Sequence, residues 1–243
     1  MGTETDKVKE SEIAVHWQEE EMIQPSPGFI SQANMADPAS FDRFSAENWP
    51  DSFREYADLL DWDQYWHTTV DTSNPPFYNW WVGGKLNASY NCVDRHLAKH
   101  RNKAALLFVP EPEQENHQVI TYQELWVQVN EFAAVLKEIG LKAGDRVTLQ
   151  MPMVPELPVT MLACARLGIV HSQVFGGFSG SACGDRIVDS ESRVLITSDA
   201  YWRAGKLIDH KGKADVAVEY AASEDHVVEK VLVWRRYRGE YKS

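Results

Sequence analysis

The feature that most constrains the fold is a regular alternation of apolar runs and helix-forming segments that begins near Asn87. The apolar runs predict strands at 104–109, 118–121, 146–151, 169–174, 193–197 and 230–234. Helical patterning predicts helices at 91–100, 122–139, 155–167, 179–189 and 214–222. Strands and helices that alternate with short connections form a mostly parallel sheet with helices on both faces. The sequence therefore predicts an α/β fold.

Local signals mark the ends of several helices. Thr121 and Glu124 have the spacing of a capping box, in which the two side chains satisfy backbone N–H groups at the start of a helix. Gly140 follows that helix and Gly168 follows the next one, at the positions where a glycine commonly ends a helix. The segment Pro110 to 117 is polar and predicts a hairpin loop.

The first 86 residues have a different composition. Residues 1–36 are polar and contain an acidic run and a Pro-Ser-Pro breaker, which predicts a flexible tail. Residues 37–86 contain five of the nine tryptophans among short helical pieces. Many large aromatic side chains in short helices indicate a helical lobe that packs on something larger, with an aromatic ligand box as the alternative. The predicted domains are 1–36, 37–86 and 87–243.

A glycine-rich turn follows the apolar run that ends at Val174. The strand, the turn and the helix after Ser179 together direct several backbone N–H groups to one point, which suits a phosphate or carboxylate. The next predicted strand is followed by a cationic cluster, Arg203-Ala204-Gly205-Lys206. Both segments lie after strand ends, where open α/β sheets bind ligands. They predict a site for a phosphorylated ligand; tight packing at the glycines and solvated cations are the alternatives.

Composition and spacing argue against several classes of function. With 24 basic and 36 acidic residues the net charge is −12, which argues against a nucleic-acid partner. No apolar run is long enough to span a membrane, and the start of the chain has no signal-peptide pattern. The three separated cysteines favour a reducing, cytoplasmic location. His96 and His100 share a helix face without a third ligand, so no metal site is expected, and no catalytic residue is predicted.

Several stretches resemble one family, the AMP-forming acetyl-CoA synthetases of the adenylate-forming superfamily. The resemblance is carried by residues 80–97, 120–125, 144–147, 151–156 and 168–179. It implies a ligase that joins acetate and ATP into acetyl-adenylate and then transfers the acetyl group to the CoA thiol. It also implies a fold: the N-terminal part of the large domain of an adenylate-forming enzyme, a mostly parallel sheet with flanking helices, truncated before the domain is complete.

The resemblance further implies which residues contact CoA. They are Phe175, Gly176, Gly177, Arg203, Ala204, Gly205 and Lys206. The family often has arginine where this sequence has Lys206, which keeps the charge but loses the bidentate fork. The partners implied are small-molecule substrates.

The family's remaining motifs lead to a further expectation. ATP and Mg²⁺ are used by the full-length family, but its phosphate loop, acetate pocket and adenylation lysine do not occur in these 243 residues. We therefore expect a fragment that is inactive alone. The alternative is a non-catalytic CoA-binding or interaction module that complements a separately encoded C-terminal part.

Overall fold

The computed structural model describes residues 23–34, 37 and 39–237. The predicted tail, 1–36, therefore falls largely outside the described residues. Two units emerge from the packing, Met1–Ala57 and Asp58–Ser243. The predicted boundaries at 36/37 and 86/87 stay predictions.

The first unit consists of short helices. They are α1 (Pro27–Gln32), α2 (Ala39–Asp42), a 3₁₀ turn (Asp51–Phe53) and α3 (Arg54–Ala57). Ser26 starts α1, because its hydroxyl accepts the N–H of Phe29 at 3.2 Å. Aromatic contacts hold the later pieces together: the ring of Phe44 lies 5.8 Å from that of Phe53 and 5.9 Å from that of Tyr56.

The second unit contains the strands. Its elements in chain order are β1 (Thr68–Asp71), β2 (Asn79–Val82), α4 (Ala88–Cys92), a 3₁₀ turn (Asp94–His96), α5 (Leu97–His100), β3 (Ala104–Phe108), β4 (Gln118–Thr121), α6 (Tyr122–Glu138), β5 (Arg146–Met151), α7 (Glu156–Leu167), β6 (Val170–Phe175), α8 (Gly180–Asp189), β7 (Val194–Ser198), β8 (Ala200–Arg203), β9 (Lys206–Asp209), α9 (His210–Ser223) and β10 (Lys230–Trp234). None of the helices in the described residues has the length and apolar character that crossing a bilayer requires.

Four strands form one parallel sheet in the order β10, β7, β5, β6. Successive residues of a strand point to opposite faces, and β7 shows the consequence. Val194 and Ile196 pack in one core with α6 and α7, whereas Leu195 packs in a second core with α8 and α9. Helices therefore cover both faces, and the predicted α/β fold with a mostly parallel sheet is confirmed.

The local signals act at the helix ends. Thr121 and Glu124 make both hydrogen bonds of the capping box, and α6 begins at Tyr122, directly after Thr121. Gly168 ends α7 in a left-handed conformation, with φ of 70°. Helix α9 begins at His210, four residues before the predicted start, because the Asp209 carboxylate accepts the N–H of Gly212 at 2.6 Å.

Two predicted elements differ in the structure. The helix expected over 91–100 is broken at Val93, whose φ of −126° leaves the helical region while its side chain is fully buried. The tryptophan-rich stretch is only partly helical, because β1 and β2 form an antiparallel pair. The rings of Trp62 and Trp81 pack on that of Trp66, with centroids 5.0 and 4.7 Å away.

Candidate functional site

A cavity of about 410 Å³ opens at the carboxyl ends of β5 and β6 in the second unit. Its walls come from the loop after β3, the turn after β6, the hairpin formed by β8 and β9, and the residues after β10. This is the edge of a parallel sheet at which α/β proteins bind ligands. The cavity therefore lies where the sequence predicts a site.

The glycine-rich turn forms one wall of this cavity. The N–H of Phe178 donates to the carbonyl of Phe175 at 3.0 Å, so that Gly176 and Gly177 occupy the centre of a tight turn. A Cβ at Gly177 would lie 2.5 Å from the Phe175 ring, and one at Gly176 would lie 3.3 Å from the Met151 carbonyl oxygen. A Cβ at Gly176 would therefore press on backbone, whereas one at Gly177 would require the exposed Phe175 ring to move.

Two residues that the sequence did not indicate hold this turn in place by hydrogen bonds to its backbone. The Tyr201 hydroxyl donates to the carbonyl oxygen of Gly176 at 3.2 Å, and the Lys213 ammonium donates to the same oxygen at 3.3 Å. The ammonium also lies 5.9 Å from the centroid of the Tyr201 ring. The turn is thus fixed by contacts from β8 and α9, which no local sequence signal indicates.

The cationic cluster, which the sequence places after a strand end, forms the turn of a β-hairpin. Arg203 pairs with Lys206 across the end of β8 and β9. The two turn residues between them both have positive φ, 51° at Ala204 and 71° at Gly205, which is the signature of a type I′ hairpin. Directly opposed residues share one face of a hairpin, so the two cationic side chains are neighbours. Both are exposed.

The structure brings some of the predicted residues together and leaves others apart. Phe175, Gly176, Gly177 and Arg203 line the cavity, and the Arg203 guanidinium lies 5.7 Å from the centroid of the Phe175 ring. Three predicted residues do not line the cavity: Ala204 and Gly205 form the hairpin turn, and Lys206 is the first residue of β9.

The segment after β10 closes another side of the cavity. The buried carboxylate of Asp199 accepts the N–H groups of Arg236 and Tyr237, at 3.1 and 3.0 Å. The Tyr237 hydroxyl donates to the Glu115 carboxylate at 3.3 Å, and burial together with Glu115 raises the pKa of Tyr237. Tyr237 itself lines the cavity. An aspartate directly after a buried strand was the only sequence signal for this arrangement.

Two buried side chains of the second unit have strongly shifted pKa values. Burial lowers the pKa of His210 to about 4, so the ring is neutral at pH 7. Burial raises the pKa of the Cys183 thiol to about 12, which keeps it protonated. Across the described residues, no group of three or more His, Cys, Asp or Glu side chains could hold a metal ion.

The family assignment comes from residues 93–238, which match the family model of the AMP-binding enzymes. The chain belongs to the AMP-binding enzyme family. Residues 39–92 match a second model, the acetyl-coenzyme A synthetase N-terminus. All the predicted site residues fall inside the AMP-binding match.

Relatives agree with this assignment. The chain is 45% identical to an acetyl-coenzyme A synthetase of Pyrobaculum aerophilum, over 77% of this chain and 29% of the relative. It is 39% identical to an acetyl-coenzyme A synthetase of Methanothrix soehngenii, over 93% of this chain and 32% of the relative. It is also 46% identical to a 3-hydroxypropionyl-coenzyme A synthetase of Sulfurisphaera tokodaii, over 77% of this chain and 28% of the relative. The predicted resemblance to acetyl-CoA synthetases is confirmed. The chain spans about 30% of the length of these curated relatives.

Proposed function

We propose that this AMP-binding family member carries the CoA-binding part of an AMP-forming acetate–CoA ligase. The full reaction converts acetate, ATP and CoA into acetyl-CoA, AMP and pyrophosphate. The observation that carries the proposal is the common cavity of Phe175, Gly176, Gly177 and Arg203, with the guanidinium of Arg203 beside an exposed aromatic ring. An apolar ring next to a cation suits a nucleotide, whose base is planar and whose phosphates are anionic.

Each residue has a role that follows from its chemistry. Arg203 offers a planar fork of N–H donors that matches two phosphate oxygens, and Lys206 adds a second positive charge across the hairpin. Gly176 and Gly177 let a ligand approach the backbone closely. Ala204 and Gly205 supply the tight turn that keeps both cations on one face.

The rest of the reaction is proposed for the full-length family rather than for the residues of this chain. ATP and Mg²⁺ act there, and we assign no residue of this chain to either. Acetate is proposed from the family resemblance alone and is assigned to no residue of this chain; a relative named for 3-hydroxypropionate is 46% identical over 77% of this chain. We place the protein in the cytoplasm, in keeping with the free thiols of Cys164 and Cys183.

Titration of CoA into the full chain by isothermal calorimetry tests the site. Arg203→Ala should weaken CoA binding by about 1.5–3 kcal/mol, the value of a hydrogen bond to a charged group. Lys206→Ala should cost less, because lysine lacks the fork, and both losses should shrink with added salt. Arg101→Ala is the matched control, since Arg101 is exposed and does not line the cavity. Unchanged affinity in Arg203→Ala would contradict the site assignment.

A second measurement separates the enzyme from a binding module. We expect no pyrophosphate release from acetate, ATP and CoA with this chain alone, because stabilisation of the transferring phosphate needs groups that we do not find in its sequence. Release above the buffer background that is lost in Arg203→Ala would refute this expectation. CoA binding without turnover, restored to turnover by a separately made C-terminal part of a relative, would favour the complementing module.

A further inference from the structure

A glutamate carboxylate accepts a hydrogen bond from a backbone N–H group of the proposed phosphate site. Glu111 lies in the loop between β3 and β4, and its Oε1 accepts the backbone N–H of Gly205 at 2.7 Å. In a two-residue hairpin the ladder bonds join the flanking residues, so the N–H groups of the turn are left for outside partners. The Gly205 N–H is therefore a donor that any anion near the hairpin could use, and here the anion is part of the chain.

The neighbouring cations are not neutralised in the same way. Among the described residues, neither Arg203 nor Lys206 forms an ion pair with a carboxylate within 4.0 Å. Arg203 rests over the Phe175 ring instead. Glu111 lines the same cavity as Arg203. The hairpin thus presents two open positive charges and one backbone donor that is already taken by a carboxylate.

We propose that Glu111 is an internal competitor of the anionic ligand at this hairpin. The Glu111 carboxylate accepts the Gly205 N–H in the protein without ligand, and a bound phosphate group takes its place as acceptor. A phosphate dianion can interact with Arg203 and Lys206 as well as with this N–H, whereas Glu111 contacts the N–H alone, because phosphate carries more charge and more acceptor oxygens. The exchange therefore lowers affinity in general and favours strongly anionic ligands. The inference rests on the proposed CoA site only for the identity of the ligand.

The opposite role is a positioning one, in which Glu111 holds the hairpin in place for the ligand. The two roles predict changes of opposite sign. Loss of a competitor strengthens anion binding, whereas loss of a positioning contact weakens it. Glu111→Ala removes both the charge and the hydrogen bond, and Glu111→Gln removes the charge but keeps an acceptor for the Gly205 N–H.

The test measures binding of CoA and of inorganic pyrophosphate to the full chain at low salt by calorimetry. We expect Glu111→Ala to bind each anion about three- to tenfold more tightly, and Glu111→Gln to show a smaller gain. Glu113→Ala is the matched control, because Glu113 is an exposed residue of the same loop and does not line the cavity. Its effect should stay below about twofold and vanish with added salt.

The outcomes separate this inference from the CoA assignment. Tighter pyrophosphate binding by Glu111→Ala, with no CoA binding by any variant, would support the competitor and overturn the CoA site. CoA binding that depends on Arg203 but is unchanged or weaker in Glu111→Ala would overturn the competitor alone. An equal gain in Glu113→Ala would also overturn it, because the effect would then be one of overall charge.

Discussion

The buried histidine at the start of α9 gives the sharpest prediction for stability. His210 has no exposed surface, and its Nδ1 lies 3.0 Å from the Ser198 hydroxyl oxygen. Burial lowers its pKa from 6.5 to about 4, and the positive charge of Lys213 contributes in the same direction. The nearby Gly176 backbone and the Asp209 carboxylate act in the opposite direction. The folded protein therefore requires the neutral ring.

The size of the effect follows from the two pKa values. Between pH 6.5 and 4 the unfolded chain binds a proton at His210 that the folded protein does not, so acid favours unfolding. The stabilising contribution is complete above pH 6.5 and is lost as the pH falls towards the folded-state pKa. With a folded value near 4, the free energy of unfolding should drop by about 2 kcal/mol at pH 5 and by about 3 kcal/mol at pH 4 from this group.

Urea unfolding followed by circular dichroism between pH 7 and 4.5 measures this loss. His210→Gln should be less stable than the wild type at pH 7, because packing is disturbed, but its free energy of unfolding should fall less steeply with acid. The carboxylates, such as Asp145, titrate in both proteins, so the difference between the two slopes isolates His210. His117→Gln, at an exposed loop position, is the control. Equal slopes for His210→Gln and the wild type would refute the reasoning.

Two further predictions concern packing and a partly buried ion pair. Gly180→Ala should lower the free energy of unfolding by about 1–3 kcal/mol in a thermal melt. The added Cβ would lie 2.6 Å from Val216 Cβ and 2.7 Å from the Lys213 carbonyl oxygen. Gly28→Ala, with open space around it, should not lower it. Asp94→Asn should cost about 2–4 kcal/mol, because Asp94 pairs with the Arg166 guanidinium, with both side chains about four-fifths buried. An Asp94→Asn, Arg166→Met double variant that loses the sum of the two single losses would contradict a coupled pair.

The parallel sheet could be predicted because short strand segments alternate with helical patterning along the chain. Its two central strands are buried on both faces, and Val147, Leu149 and Ile196 have no exposed surface. Helix ends could also be predicted where a single residue type determines them, as the left-handed Gly168 does at the end of α7. Where the first turn of a helix contains a glycine, as at Gly212 in α9, the pattern starts late and the predicted helix is too short.

The β8–β9 hairpin could not be predicted, because its turn uses an unusual residue. Ala204 has φ of 51°, a conformation that non-glycine residues rarely adopt, and the strands on either side are only four residues long. Arg203 and Lys206 could therefore be identified as a cationic cluster, but not as neighbours across a hairpin. The positive φ itself was invisible in the sequence.

The candidate site was predictable where its residues are consecutive in the sequence. The glycines after β6 stand out in a single stretch, whereas their supports are distant. Tyr201 lies 25 residues from Gly176 and Lys213 lies 37 residues from it, and their hydrogen bonds to one carbonyl oxygen depend on the whole fold. Asp199 likewise contacts residues 37 and 38 positions away. No local pattern encodes such pairs.

The hydrogen bonds to the Gly176 carbonyl also determine which way the neighbouring Gly177 N–H points. A peptide group is planar and trans, so the carbonyl of Gly176 and the N–H of Gly177 point opposite ways. Tyr201 and Lys213 hold the carbonyl on the inner side of the turn. The Gly177 N–H must then face outwards, and it cannot rotate without breaking both bonds. A ligand that accepts this N–H meets a donor whose orientation was set during folding, so binding loses little conformational entropy at this point.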